Sequence, residues 1–85
     1  MATFNVGSTF VNWNNVIYSE MEVCDDGIIM RFESERTSNE VLIPDATIDQ
    51  VAAALRHGLR TCEVFDLMFF IEKVKTYRGE DDDNY

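Results

Sequence analysis

The stretch EMEVCDDGIIMRFESE, residues 20–35, decides how this chain is read. Apolar and charged residues alternate on both sides of an Asp-Gly pair. Asp26-Gly27 favours a type I′ turn, because both central positions of that turn need positive φ. With those two residues at the turn, Asp25 pairs with Ile28, Val23 with Met30 and Met21 with Phe32, which gathers apolar groups on one face. The other face pairs Cys24 with Ile29, Glu22 with Arg31, Glu20 with Glu33 and Tyr18 with Glu35. A slip of one residue would mix the two sets, so the pattern opposes it.

Working outward, Arg36-Thr-Ser-Asn39 reads as a four-residue loop. A third strand then sets Val41 opposite Ser34 and Ile43 opposite Phe32, and Pro44 ends it. The expectation is an antiparallel meander over about 16–24, 28–35 and 40–43. Beyond Pro44 the apolar period changes to that of a helix. Ile48, Val51, Ala52, Leu55, Leu59 and Cys62 share one stripe, which predicts a helix over about 47–60 capped by Asp45 or Thr47. Its open face carries Ala53, Arg56, His57 and Arg60, and Gly58 weakens it.

Residues 63–78, EVFDLMFFIEKVKTYR, support two readings. Val64, Met68, Ile71 and Val74 suit a helix whose charges match the helix dipole. Phe65, Leu67, Phe69 and Ile71 also alternate, as in a strand. The helix is the favoured reading. Residues 3–6 can form a strand. Residues 8–15 can form a short helix capped by Ser8, or strand and turn. The fold class expected is α+β: a small antiparallel β-meander of three to four strands packed against one or two C-terminal helices. Residues 1–79 form the single domain, and residues 80–85 form a flexible acidic tail.

The 85 residues carry a formal net charge of −9, unevenly placed. Residues 1–45 hold eight acids and two bases. Residues 46–79 hold four acids and five bases, and residues 80–83 are all acidic. The acidity therefore belongs to the meander and the tail, which suggests a face rather than a uniformly charged surface. Free nucleic acid and anionic membrane are poor partners for such a chain, and a basic protein is a better one. The opening residues have neither the basic nor the apolar segment of a signal peptide, and the longest apolar run, residues 67–71, is too short to span a bilayer. These features predict a cytoplasmic protein with Cys24 and Cys62 as free thiols.

Catalytic patterns are thin. His57 is the sole histidine, so any Cys–His or Ser–His pair has to use it. No spacing of Cys and His indicates zinc, and neither DDG nor EDDDN has the register of a calcium loop. The glycines form no phosphate-cradling loop. No catalytic residue, metal or cofactor is expected.

What remains is the array Glu20, Glu22, Asp25, Asp26, Glu33, Glu35 and Glu40. Carboxylates two residues apart on a strand are about 7 Å apart, and those paired across a ladder about 5 Å. The strand spacing is about twice the roughly 3.4 Å per-strand charge spacing of DNA. Such an array can occupy arginines and lysines meant for phosphate. The plainer reading is a solvated face kept negative for solubility and against edge pairing.

A small acidic chain with EMEVCDDGIIMRFESE, a third short strand EVLIP and then helices resembles phage-encoded anti-CRISPR proteins. The resemblance lies in size, charge and topology, without a shared motif. It implies a non-enzymatic inhibitor, a DNA mimic that binds a CRISPR effector complex and blocks target DNA recognition, with a type I (Cascade) effector favoured. Glu20, Glu22, Asp25, Asp26, Glu33, Glu35 and Glu40 would be the partner-binding residues. The +1 balance of the helical half departs from a mimic acidic all round. Two other readings stand beside it: an acidic antitoxin or immunity protein that neutralises a basic toxin, and a small homodimeric assembly subunit joined through Trp13, Phe65, Phe69 and Phe70.

Overall fold

The computed structural model describes residues 2–81, with side chains for residues 2–76. Six strands and two helices follow one another as β1 (Thr3–Val6), β2 (Thr9–Asn12), a 3₁₀ turn (Trp13–Asn15), β3 (Tyr18–Cys24), β4 (Gly27–Glu33), β5 (Ser38–Pro44), α1 (Ile48–Thr61), β6 (Val64–Asp66) and α2 (Leu67–Asp81). The strands form two three-stranded sheets, ordered β3-β4-β5 and β2-β1-β6. This is the expected α+β class, with a meander and two C-terminal helices, enlarged by a second sheet.

The meander keeps the expected faces but not the expected pairs. Met21 lies opposite Met30, Val23 opposite Ile28 and Cys24 opposite Gly27, so Asp25-Asp26 form the loop instead of Asp26-Gly27. The register is moved by two residues, which leaves every side chain on its original face. Gly27 explains the shift. It has φ +148°, and a Cβ there would fall 2.1 Å from the carbonyl oxygen of Ile43. The glycine is needed where β4 meets the end of β5, not inside the turn. Asp45, itself at φ 58°, donates its backbone N–H to Asp26 O at 3.1 Å and ties that turn to β5.

At the other end the loop is residues 34–37. Ser34 N donates to Thr37 O at 2.9 Å, and the two hydroxyls meet at 2.7 Å. Ile43 therefore lies opposite Ile28 and Val41 opposite Met30, four residues from the expected register and again on the same face.

The second sheet joins the two ends of the chain. β1 pairs antiparallel with β2 and parallel with β6, with Phe4 beside Phe65. Residues 63–78 thus satisfy both readings in turn: three residues of strand, then helix. Asp66 makes the switch, its carboxylate accepting the N–H groups of Met68 (3.1 Å) and Phe69 (3.4 Å). Residues 8–15 are strand and then a 3₁₀ turn capped by Asn12, not a helix capped by Ser8. α1 starts with a capping box, in which Thr47 accepts from Gln50 N and Gln50 accepts from Thr47 N.

One core unites these parts. Ile28, Met30, Phe32 and Ile43 from the meander pack with Val51 and Ala54 of α1, Leu67 and Ile71 of α2, and Phe4, Val6 and Val11 of the second sheet. Phe4 is central. Its ring lies 5.1 Å from that of Phe65, 5.9 Å from Phe32 and 6.0 Å from Trp13. Phe65 is buried, Phe70 and Trp13 are partly buried, and Phe69 is 54% exposed. Gly58 does more than weaken α1. A Cβ there would meet the Phe65 ring at 2.3 Å, so the glycine lets helix and ring touch. α2 continues through Gly79 to Asp81, past the expected domain end at 79. Residues 82–85 of the expected tail lie outside the described residues. Among the described residues no helix is long and apolar enough to cross a membrane.

Candidate functional site

The outer face of the β3-β4-β5 sheet is set by the pleat. With Ile28, Met30 and Phe32 turned into the core, Ile29, Arg31 and Glu33 of β4 must point away from it. Register then supplies their neighbours. Tyr18, Glu33 and Ser38 form one row, Glu20, Arg31 and Glu40 the next, and Glu22, Ile29 and Leu42 a third.

Arg31 sits in the middle of the face and holds three carboxylates. Its Nη1 donates to Glu20 Oε2 and to Glu22 Oε1, and its Nε donates to Glu40 Oε2, each at 2.8 Å. The second oxygen of Glu20 accepts the Tyr18 hydroxyl at 2.6 Å. These contacts move the titrations in opposite directions. The Tyr18 hydrogen bond and then Arg31 hold the Glu20 carboxyl below its ordinary value. Glu20 in turn pushes the Tyr18 phenol up. Glu22, then Glu20 and Glu40, hold the guanidinium charged beyond its usual range.

The seven carboxylates singled out from the sequence therefore divide. Glu20, Glu22, Glu33 and Glu40 share the sheet face. Asp25 and Asp26 occupy the β3–β4 turn, and Glu35 lies in the β4–β5 turn at the other end of the strands. A seven-residue strand separates the two ends by roughly 20 Å. The expected Glu22–Arg31 pair is present diagonally, while Glu20 and Glu40 are directly opposite the arginine. The expected Glu20–Glu33 and Tyr18–Glu35 pairs are absent, since Glu33 faces Tyr18. Arg31 as a three-way clamp is the residue of this candidate face that the pattern under-read. Its signal was visible: it is the one cation in residues 20–35, and it shares parity with the glutamates across both ladders.

Next to the charged rows, Leu42 is 49% exposed beside the half-buried Ile29, so the face also offers an apolar strip. Charged rows with an apolar row are a combination that suits a protein partner.

The candidates for enzyme chemistry lie elsewhere, in a groove between α1 and α2. His57 packs its ring 5.6 Å from Phe70, and its side chain has no hydrogen-bond partner among the described residues. Cys62 meets the Thr61 hydroxyl at 3.5 Å, and both cysteines are free thiols. Among the described residues no group of three or more His, Cys, Asp or Glu side chains is placed to hold a metal ion. No family model, curated protein or solved structure matches this chain.

Proposed function

We propose that the protein is a non-enzymatic inhibitor that lays the outer face of its β3-β4-β5 sheet on the basic, nucleic-acid-binding surface of another protein. The observation that carries this reading is the clustering of Glu20, Glu22, Glu33 and Glu40 on one sheet face, rimmed by Asp25, Asp26 and Glu35. Arg31 does not cancel the face. It takes one oxygen from each of three glutamates, so Glu22 Oε2 and Glu40 Oε1 stay available to an incoming cation. The narrower form of the reading follows the resemblance in size, charge and topology: the partner is a CRISPR effector complex of type I, and the step blocked is target DNA binding in the cytoplasm.

The test is binding to a purified type I effector, with target DNA as competitor, at low and high salt. The informative variant reverses Asp25, Asp26, Glu33 and Glu35 to lysine, because none of these is in the Arg31 clamp and the sheet keeps its internal support. The expected result is salt-sensitive binding by the native protein that competes with DNA and weakens at least about tenfold in the variant. Native binding that the four reversals leave unchanged sinks the acidic-face reading. Absence of native binding sinks the CRISPR form of it.

A further inference from the structure

The groove between α1 and α2 has a volume of about 1000 Å³. It is lined by the side of α1 that the core does not use. Val51, Ala54 and Gly58 face inward, while Ala53, Arg56, His57 and Arg60 lie largely opposite them at 100° per residue. Arg56 and Arg60 are four residues apart, hence neighbours on one helix face. Lys73 reaches the groove from α2, its Nζ 5.3 Å from the centre of the Phe69 ring.

Two features set this groove apart. The first is its charge. Arg31 holds three carboxylates and Lys75 holds Asp45 and Glu72, but Arg56, Arg60 and Lys73 have no carboxylate partner among the described residues. In a chain of net charge −9, three such cations converge on one depression. Among the described lining residues Glu72 is the one acid, and Lys75 holds it at 3.3 Å.

The second feature is its wall. Phe70 stacks on Phe65 at 5.3 Å and 17°, and Phe65 stacks on Phe4 at 5.1 Å and 25°. The ring that lines the groove is thus the outer member of a pile rooted in the core. Phe69 (6.0 Å from Phe70) and His57 (5.6 Å) flank it, so the surface offered to solvent is built of flat rings.

We propose that this groove binds a nucleotide, with the base stacked on one ring of a wall in which Phe69 and His57 are tilted 45° and 50° from Phe70, and the phosphate held by Arg56, Arg60 and Lys73. Its volume is at the upper end of the small-molecule range of about 300–1000 Å³, and apolar walls with a few convergent polar groups are usual for such sites. Flat rings favour a flat body, because bases stack on aromatic side chains whatever their sequence. Guanidinium groups favour phosphate, which they bind in bidentate fashion. An acidic peptide would satisfy the cations and leave Phe69 uncovered, and two helices offer it no open strand to pair with. A long nucleic acid would meet the acidic sheet, whereas one phosphate feels mainly the local cations. This site is independent of the acidic face, and either can fail without the other.

The test uses the full chain, labelled with ¹⁵N and titrated separately with AMP, adenosine and inorganic phosphate. AMP is expected to shift the amides of residues 53–62 and 69–76 saturably, at least about tenfold more tightly than adenosine or phosphate alone. The amides of β3 and β4 should stay in place. Arg56→Gln with Arg60→Gln should weaken AMP at least about tenfold, and Phe69→Ala should reduce it to the level of phosphate. All three positions are exposed, and unchanged sheet amides would verify that the variants fold. The cysteines supply a second readout. Cys62 lines the groove and Cys24 lies on the sheet, so AMP should slow alkylation of Cys62 and leave Cys24 unaffected. The proposal is overturned if AMP gives no saturable shift, if phosphate alone binds as tightly as AMP, or if the shifts fall outside the two helices.

Discussion

The sheet face and the helix groove manage charge in opposite ways. On the sheet, three of the four face glutamates converge on one arginine, which holds them through its Nε and Nη1. In the groove, three cations and one glutamate share the described lining, and that glutamate is held by a lysine from outside the trio. The net charge of −9 describes neither surface. Each is organised around a minority residue: Arg31 lets the acids crowd together, and Glu72 is tied to Lys75, so that the groove cations have no carboxylate partner among the described residues. Strand pairing brings the first set together and helical spacing the second, so a bulk charge is a poor guide to what either surface recognises.

The comparison can be broken most severely at the shared core. Phe4 packs on Phe32 of the meander and on Phe65, which backs the groove ring Phe70. Phe4→Ala should cost about 3–5 kcal/mol in urea unfolding, and both surfaces should be lost together. If the sheet amides kept their native shifts while the helices melted, the two surfaces would be separate units.

Next come two glycines that divide the effect. Gly27→Ala forces a Cβ against backbone at a φ that side chains rarely adopt, and should disturb the meander by more than its helical counterpart. Gly58→Ala puts a Cβ against the Phe65 ring. Overpacking of about 1–3 kcal/mol should outweigh the gain of about 1 kcal/mol in helix propensity. Amide shifts are expected around β4 and β5 for the first and around α1 and β6 for the second. Shifts that spread equally to both surfaces would show that the two are mechanically coupled.

The smallest expected effect sharpens the electrostatic side. Glu20 is held below its ordinary carboxyl value of 4.5. Its contribution to stability is therefore complete above about pH 4.5 and is lost as the pH falls through the lower folded-state value. The urea midpoint should drop over that acid range, and Arg31→Gln should flatten the drop. Tyr18 works in reverse. Its phenol is raised above 10.0, so its contribution is present below pH 10 and is lost as the pH rises through the higher folded-state value. An acid limb identical in the native protein and Arg31→Gln would show that the clamp carries no pH-dependent stability.

Much of this arrangement was legible in the residues, and the misses share a cause. Alternation assigns faces because its period is two, and the assigned faces hold for the residues that lie in strands, while Asp25, Ser34 and Glu35 fall in turns. Alternation does not distinguish registers that differ by two or four, which is how Asp26-Gly27 came to be read as the turn. Deciding that required Gly27's contact with Ile43 O, a tertiary fact. The strands of the second sheet left local traces but their pairing left none, because Thr3–Val6 and Val64–Asp66 are far apart in sequence. Residues 63–78 carried two periods because they contain two elements. In the candidate site the four face glutamates were readable from parity. The removal of Asp25 and Glu35 to the ends, where Asp26 was already expected, follows from the revised turns. Arg36, beside Glu35 in its turn, softens that end of the array.

The parallel pairing of β1 with β6 also has a kinetic meaning. The meander and its turns are local and can close early. Thr3, Phe4 and Asn5 have no partner on their β6 side until Val64, Phe65 and Asp66 have been synthesised and have left the ribosome. Phe4, the hub of the core, is thus made well before Phe65 and cannot be enclosed until Phe65 has emerged. In that interval the growing chain carries an unsatisfied strand edge and an uncovered ring, a state in which pairing with another nascent chain competes with self-completion. Closure across such a separation is slow compared with hairpin formation. Refolding should therefore show the Trp13 environment, which rests on Phe4, maturing after the hairpins of the meander have formed.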